Sequence, residues 1–194
     1  GADDDGSGTV AAMEIAEAFK IAKNEGYGPR RSVLIMTVSG EEKGLLGSKY
    51  YTDNPIYPLK NTVANLNIDM IGRLDDWHDT ANYVYLIGSD RLSTDLHNIS
   101  EEVNKKYIGL NLDYRFNDDD DPNRYYYRSD HYNFAKNNIP VIFYFNGVHE
   151  DYHKETDTIE KIDFKKIEKI TKLIFLTAWE LANKEERIKL KENL

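Results

Sequence analysis

The chain contains no cysteine and only 5 prolines among its 194 residues. Without cysteine there are no disulfide bonds and no thiolate metal ligands, so a metal ion would have to be bound by carboxylates and imidazoles. No apolar run approaches the roughly 20 residues that a membrane-spanning helix requires. The first residues show neither the basic nor the apolar part of a signal peptide. We therefore expect no membrane partner, and composition alone leaves the compartment open.

Basic residues are also few in relation to acidic ones. The sequence has 25 Lys and Arg against 34 Asp and Glu, which gives a net charge of −9. This charge repels nucleic-acid backbones, and no basic stripe with interleaved aromatic residues offsets it. We expect no nucleic-acid partner. The length and a hydrophobic content of 40% are typical of one globular domain, covering residues 1–194.

Hydrophobic periodicity predicts an alternation of helices and strands along the chain. The predicted helices cover residues 9–24, 93–107 and 129–137, together with a closing helix whose apolar face runs from 167 to 181. The predicted strands cover residues 33–38, 63–70, 83–87, 112–116 and 140–145. We expect residues from about 185 onward to form a solvated helix end or tail. The pattern indicates an α/β fold, a three-layer sandwich in which helices flank a mostly parallel mixed sheet.

Acidic residues and a histidine stand at the predicted strand ends. Glu41 and Glu42 follow the first predicted strand directly, Asp69 lies in the second, and His153 follows the last after a short loop. Asp4 lies where the first helix begins. Carboxylate and imidazole ligands delivered by several separate strand ends suit zinc or a similar divalent ion. A carboxylate that bridges two such ions is typical of paired-metal hydrolases, so the inferred reaction is metal-assisted hydrolysis.

Five ordered motifs then carry a resemblance to a known family. They are Gly1-Ala2-Asp3-Asp4-Asp5-Gly6-Ser7-Gly8, Glu41-Glu42-Lys43-Gly44-Leu45-Leu46-Gly47-Ser48, Asn67-Ile68-Asp69-Met70, Ser129-Asp130-His131, and Asp151-Tyr152-His153-Lys154-Glu155-Thr156-Asp157-Thr158. Over nearly its whole length the chain resembles the co-catalytic di-zinc exopeptidases, which include bacterial leucyl aminopeptidases, glutamate carboxypeptidases and, more distantly, glutaminyl cyclases. The resemblance implies the phosphorylase/hydrolase-like zinc peptidase fold.

The resemblance also implies a role for each candidate residue. Asp4 is expected to bridge both zincs, Asp69 to bind one of them, and Glu42 with His153 to bind the other. Glu41 is expected to be the general base, because a carboxylate that is not neutralised by metal can accept a proton from the attacking water and pass it to the leaving amine. Adjacent glutamates on one loop thus receive different roles.

A tyrosine just before the Ser-Asp-His motif hydrogen-bonds the tetrahedral oxyanion in family members. Counting back from Ser129, the matching position is Tyr126. Tyr125 and Tyr127 stand on either side of it, so the register stays open between these neighbours.

One family motif is missing from the sequence. In the family a His-x-Asp motif shortly upstream of the Gly-Ala-Asp-Asp cluster supplies the second terminal zinc ligand, whereas this chain begins at Gly1. The resemblance implies that the missing segment also supplies central strands of the sheet. We therefore expect these residues to be the C-terminal portion of a longer precursor. As a hypothesis, they bind at most one zinc well, at Asp4, Glu42 and His153, and lack full activity.

The resemblance implies a zinc-dependent exopeptidase, in first place an aminopeptidase that hydrolyses N-terminal peptide bonds through a metal-bound hydroxide. Two alternatives stay open: a non-catalytic binding module like the transferrin-receptor branch of the superfamily, and a single-zinc enzyme like the glutaminyl cyclases. Because family members are commonly exported, a periplasmic or extracellular location is also expected. The preferred side chain, the choice between aminopeptidase, carboxypeptidase and dipeptidase, and the oligomeric state are not indicated.

Several other motifs receive a structural interpretation. Residues 149–153 spell His-Glu-x-x-His, but that zinc signature needs a helix and this stretch follows a strand through Asn146-Gly147. The acidic run Asp118 to Asp121 lacks the ligand spacing of a calcium loop and is interpreted as solvated. Asp130 and His131 are expected to cap and buttress a short helix rather than to bind metal.

Overall fold

The computed structural model describes residues 1–192 and contains a four-stranded mixed sheet. The strands are β1 (Asn65–Ile68), β2 (Tyr83–Ile87), β3 (Asn111–Asp113) and β4 (Val141–Phe145), in the order β1-β4-β2-β3. β1 runs parallel to β4 and β2 runs parallel to β3, while β2 and β4 are antiparallel. The carboxyl ends of β1 and β4 therefore meet the first residues of β2 and β3 at one edge of the sheet.

Helices cover both faces of this sheet. They are α1 (Gly8–Asn24), α2 (Leu46–Asp53), α3 (Thr94–Val103), α4 (His131–Ala135) and α5 (Phe164–Asn183). Side-chain caps define two of the starts. Ser93 accepts a hydrogen bond from the Leu96 amide at the start of α3, and Asp163 accepts two at the start of α5. Among the helices of residues 1–192, none is both long and apolar enough to cross a bilayer.

The core consists of two layers, because successive side chains of a strand point to opposite faces of the sheet. Val84 and Leu86 of β2 pack with α1 and α5, whereas Tyr83, Tyr85 and Ile87 belong to a second cluster that includes Phe134 of α4. All residues of β2 and β4 are buried. A sheet that is buried on both faces produces continuous apolar strands, and the predicted three-layer α/β architecture is confirmed.

The predicted strand at residues 33–38 is wrong as a sheet strand. These residues are extended, but no strand of residues 1–192 pairs with them. A cleft of about 1090 Å³ lies between this segment and β1, and both segments line it. A β-strand is defined by its hydrogen bonds to a neighbouring strand. Residues 33–38 have the apolar, β-branched composition of a strand, but the cleft separates them from β1, so these hydrogen bonds do not form.

Two further local predictions differ from the structure. The sequence analysis predicts no helix at α2, which begins two residues after Gly44. Its eight residues include two tyrosines and a threonine, which are typical of strands. The expected solvated tail is exposed at most of residues 185–192, but it is also fixed to the body of the protein. Ile188 is buried, the Arg187 guanidinium donates hydrogen bonds to the carbonyl oxygens of Lys60 and Thr62, and the Lys191 amide donates to Leu92.

Candidate metal centre

The two adjacent glutamates lie on a tight turn beside the edge where β1 ends. Glu41 and Glu42 begin a short 3-10 turn, Glu41–Lys43. Glycines with left-handed backbone flank this turn, Gly40 at φ 72° and Gly44 at φ 104°. Residues other than glycine adopt such angles at a cost, so the glycines allow the chain to reverse here. The reversal places both carboxylates at the sheet edge.

Three of the predicted ligands come together at this edge. Asp4, Glu42 and His153 each offer a ligand atom, and these atoms all lie within 4.8 Å of one another. The Nε2 atom of His153 lies 3.2 Å from Asp4 Oδ2 and 3.1 Å from Glu42 Oε1. His153 adopts φ 58°, an uncommon left-handed conformation for a residue other than glycine. This backbone conformation is part of the arrangement that brings the imidazole to the two carboxylates.

The geometry of these three residues fits a zinc ion. Two ligand atoms bound to a tetrahedral zinc at about 2.0 Å lie roughly 3.3 Å apart, close to the two separations at His153 Nε2. This nitrogen carries at most one hydrogen, so it cannot donate good hydrogen bonds to two carboxylate oxygens at once. One imidazole with two carboxylates is also a donor set that zinc uses in proteins.

The acidic residues of the centre repel one another. Burial raises the pKa of Asp4 above its ordinary value, and the negative charge of Glu42 adds to the rise. Burial raises the pKa of Glu41 from 4.5 to about 8, with further contributions from Asp69 and Glu42. Like charges that are held this close are relieved by protonation or by a cation bound between them. Perturbed carboxylates of this kind are typical of functional sites.

Asp69 lies next to this group but outside it. Its Oδ2 accepts a hydrogen bond of 2.8 Å from Ser129, and its buried Oδ1 has no hydrogen-bond partner in the described part of the chain. Burial raises the pKa of Asp69 to about 7, partly offset by the Ser129 hydrogen bond, and the charge of Asp4 raises it further. Asp5, which sequence reasoning did not select, has a pKa raised by burial and by Asp69. The unpartnered oxygen of Asp69 is suited to a second cation.

The structure does not place Tyr126 in this group. Tyr126 belongs to the second core cluster. Its ring centroid lies 4.0 Å from Cζ of Arg91, and the ring packs edge-on against Tyr127 and His131. Burial raises its pKa to about 12, while Arg91 lowers it. Tyr126 is therefore surrounded by core and rim residues.

Tyr152, which sequence reasoning did not select, lies beside the ligand group. Its ring stacks on the His153 imidazole with centroids 3.8 Å apart. Burial raises the pKa of Tyr152 to about 12, Arg128 lowers it, and Asp4 and Glu42 raise it. The adjacency of Tyr152 to the predicted ligand His153 was the signal in the sequence that could have identified it.

The remaining motifs follow their structural interpretations only in part: in the acidic run, residues 118–120 are exposed, whereas Asp121 is buried. Residues 149–153 form turns rather than a helix, and His149 Nε2 lies 3.2 Å from the buried Asp3 instead of facing His153. The predicted cap is wrong, because the Asp130 side chain makes no capping hydrogen bond to α4 and instead accepts a hydrogen bond from Ser48 of α2. His131 is fully buried, and burial lowers its pKa to about 3, which keeps it neutral.

The edge of the sheet thus combines clustered carboxylates, an imidazole and a glutamate whose protonated form is favoured by its surroundings. Together with a three-layer α/β fold, these features define the class of zinc-dependent hydrolases that cleave with metal-activated water. The model of Peptidase family M28 matches residues 1–178. The chain therefore belongs to Peptidase family M28, and its resemblance to the zinc exopeptidases is confirmed.

Individual relatives agree with this assignment. The chain is 28% identical to a probable zinc metalloprotease of Pyrenophora tritici-repentis over 94% of its own length and 44% of the relative. It is 27% identical to Aminopeptidase YwaD of Bacillus subtilis over 97% of its length and 39% of the relative. The solved structure of BSAP, a zinc aminopeptidase from Bacillus subtilis, matches with a TM-score of 0.74 at 25% identity, over 97% of this chain and 45% of that one. The chain spans less than half the length of these proteins.

Proposed function

We propose that this chain forms the catalytic portion of a zinc-dependent exopeptidase, and specifically of an aminopeptidase. The observation that carries the proposal is the position of Glu41, a partly buried glutamate with a pKa of about 8, directly beside the group formed by Asp4, Glu42 and His153. The names of the Bacillus subtilis aminopeptidases support the choice of the N-terminal end of a peptide as substrate.

Zinc binding is assigned to the described ligands as follows. Asp4, Glu42 and His153 would hold one zinc, and Asp69 with Asp4 would contribute to a second site, for which residues 1–192 bring no third ligand atom into a group with theirs. When bound, zinc lowers the pKa of a coordinated water and polarises a carbonyl group. We therefore expect one tightly bound zinc per chain, and metal analysis that finds two would contradict this part of the proposal.

Glu41 is assigned the proton transfer. A base that works near neutral pH needs a pKa not far from the working pH, and burial beside other acids moves Glu41 toward that range. Binding of a cation to the neighbouring carboxylates offsets their repulsion and favours the ionised form of Glu41. In that form Glu41 can accept a proton from the attacking water and donate it to the amine that leaves.

Tyr152 is assigned the hydrogen bond to the substrate oxygen, the role predicted for Tyr126. Its pKa of about 12 keeps the hydroxyl protonated at neutral pH, so it remains a donor. Its ring is fixed against His153, which places it beside the ligand group. A donor directed at the carbonyl oxygen stabilises the negative charge that develops as the bond is attacked.

The experiment that tests the proposal is a zinc titration followed by hydrolysis of aminoacyl-p-nitroanilides. We expect zinc-dependent release of p-nitroaniline that is lost in a His153→Ala variant. Peptides with an acetylated N-terminus provide the control, because an aminopeptidase requires the free amine. Cleavage of the blocked peptides with equal efficiency would contradict an aminopeptidase and favour a carboxypeptidase.

A glutaminyl cyclase reaction is the second candidate, because the described residues bring together one three-ligand group rather than two. A peptide with N-terminal glutamine distinguishes the reactions, since cyclisation releases ammonia and leaves the chain intact. A periplasmic or extracellular location belongs to the same proposal and is supported by the family resemblance; fractionation of the source cells tests it.

A further inference from the structure

Asp157 lies in the loop between β4 and α5, four residues after His153, and its residue surface is 6% exposed. Its Oδ2 accepts the amide hydrogen of Asp3 at 2.9 Å and that of Asp4 at 3.1 Å. Its carbonyl oxygen accepts a third hydrogen bond, from the amide of Ala2 at 3.0 Å. A single residue thus holds three consecutive peptide groups.

The backbone at Asp4 depends on these bonds. Asp4 adopts φ −104° and ψ 97°, which interrupts the helical turn around it. An amide in such a conformation has no regular helical partner, and here the carboxylate of Asp157 provides one. Because the Asp4 side chain extends from this backbone, the position of Asp157 determines where the Asp4 carboxylate points.

The choice of a carboxylate has an electrostatic cost. Asp157 adds a negative charge beside Asp4 in a region that already contains Glu42. A neutral acceptor could hold the same amides without that repulsion. The cost is offset when a cation occupies the site, because a metal ion reverses the sign of the local field.

We propose that Asp157 is a positioning residue that orients Asp4 as a metal ligand by fixing the Asp3 and Asp4 amides. This inference rests on the proposed zinc site. One loop then provides a ligand, His153, and also the group that orients a ligand from the other end of the sequence. Groups that orient metal ligands typically change metal affinity by about 10–100-fold when they are removed.

A matched control exists six residues further along the chain. The Asp163 carboxylate also accepts two backbone hydrogen bonds, from the amides of Lys165 and Lys166 at 3.0 Å each, but these amides begin α5. Removal of either carboxylate deprives two amides of their acceptor. Only the removal of Asp157 affects the backbone that carries Asp4, so a difference between the variants isolates positioning from stability.

The test is the zinc affinity of the purified 194-residue chain, measured by competition with a chromophoric chelator, together with the stability of the metal-free protein in urea. We expect Asp157→Ala to weaken zinc binding by about 10–100-fold. Asp157→Asn should lose clearly less zinc affinity than Asp157→Ala, because its amide oxygen still accepts both hydrogens and the replaced Oδ1 has no hydrogen-bond partner among residues 1–192. Asp163→Ala should lose stability and keep its zinc affinity.

Asp157→Glu, which keeps the charge and displaces the oxygen, replaces the alanine variant if that protein does not fold; we expect a loss on the order of tenfold. Wild-type affinity in both the Ala and Glu variants would overturn the inference. An equal loss in Asp163→Ala, or no recovery in Asp157→Asn, would overturn it as well. If His153→Ala and Glu42→Gln also bind zinc like the wild type, the proposed site itself is wrong, which is a distinguishable result.

Discussion

We expect the substitution Glu41→Gln to raise the stability of the metal-free protein at high pH and to lower its catalytic activity. The substitution keeps the shape of the side chain and removes its ionisation. Burial and the neighbouring acids raise the pKa of Glu41 from 4.5 to about 8. Between these two pH values, Glu41 is therefore protonated in the folded protein and ionised in the unfolded chain. As pH rises through this window, the ionisation of Glu41 destabilises the metal-free fold, and the full penalty is present above pH 8.

The size of this penalty follows from the pKa. At about 1.36 kcal/mol per pH unit the rise corresponds to at most about 5 kcal/mol. The carboxylate is partly exposed, so water screens part of the interaction, and we expect about 2 kcal/mol. Glutamine carries no charge and escapes the penalty. In urea unfolding with a chelator present, the variant should be about 2 kcal/mol more stable than the wild type at pH 9 and no more stable at pH 4.

The same variant should lose catalysis. Removal of a general base lowers kcat/KM by about 10²–10⁴-fold, and zinc affinity should not fall because Glu41 is not a ligand. Glu25→Gln on the exposed end of α1 is the control and should change neither property. A stability difference that does not depend on pH, or equal turnover in Glu41→Gln, would refute the assignment.

Three further predictions concern single side chains. Tyr152→Phe should lower kcat by about 10–100-fold with little change in KM, whereas Tyr126→Phe should leave kcat within about twofold; the reverse order would restore the role to Tyr126. Burial lowers the pKa of Lys166 from 10.5 to about 7. As pH rises, the folded protein loses the Lys166 proton before the unfolded chain does, so the stability of the wild type should rise between about pH 7 and 10.5. Lys166→Met should remove that rise in urea titrations, and an unchanged slope would contradict it. Leu173→Ala, at a fully buried site, should cost about 2–5 kcal/mol of unfolding free energy, and a loss below 1 kcal/mol would contradict its place in the core.

The parts of the fold that local patterns determine could be predicted from the sequence. Helix α1 begins within one residue of its predicted start, and β2 matches its predicted range, 83–87. The apolar spacing of a helix and the continuous apolar run of a buried strand are properties of the segment itself. The prediction of a strand at 33–38 is wrong because a sheet strand needs an adjacent strand to pair with, and the hydrophobic periodicity of a segment does not indicate whether one is present.

The candidate site could be predicted in part for a related reason. Ordered motifs identified Asp4, Glu42 and His153, and the structure brings these three together. The register of the family motif predicts the oxyanion role for Tyr126, whereas the contact of the Tyr152 ring with the ligand His153 is a property of side-chain direction that the sequence does not give. The hydrogen bonds of Asp157 join the two ends of the sequence. No spacing rule reports a contact across 153 residues.

The most direct test of the account is the location of zinc in a crystal, from anomalous difference density recorded on either side of the zinc absorption edge. The account predicts one strong peak about 2.0–2.2 Å from His153 Nε2 and from carboxylate oxygens of Asp4 and Glu42, with Glu41 outside the coordination sphere. A peak elsewhere, with these three side chains not coordinating, would contradict it.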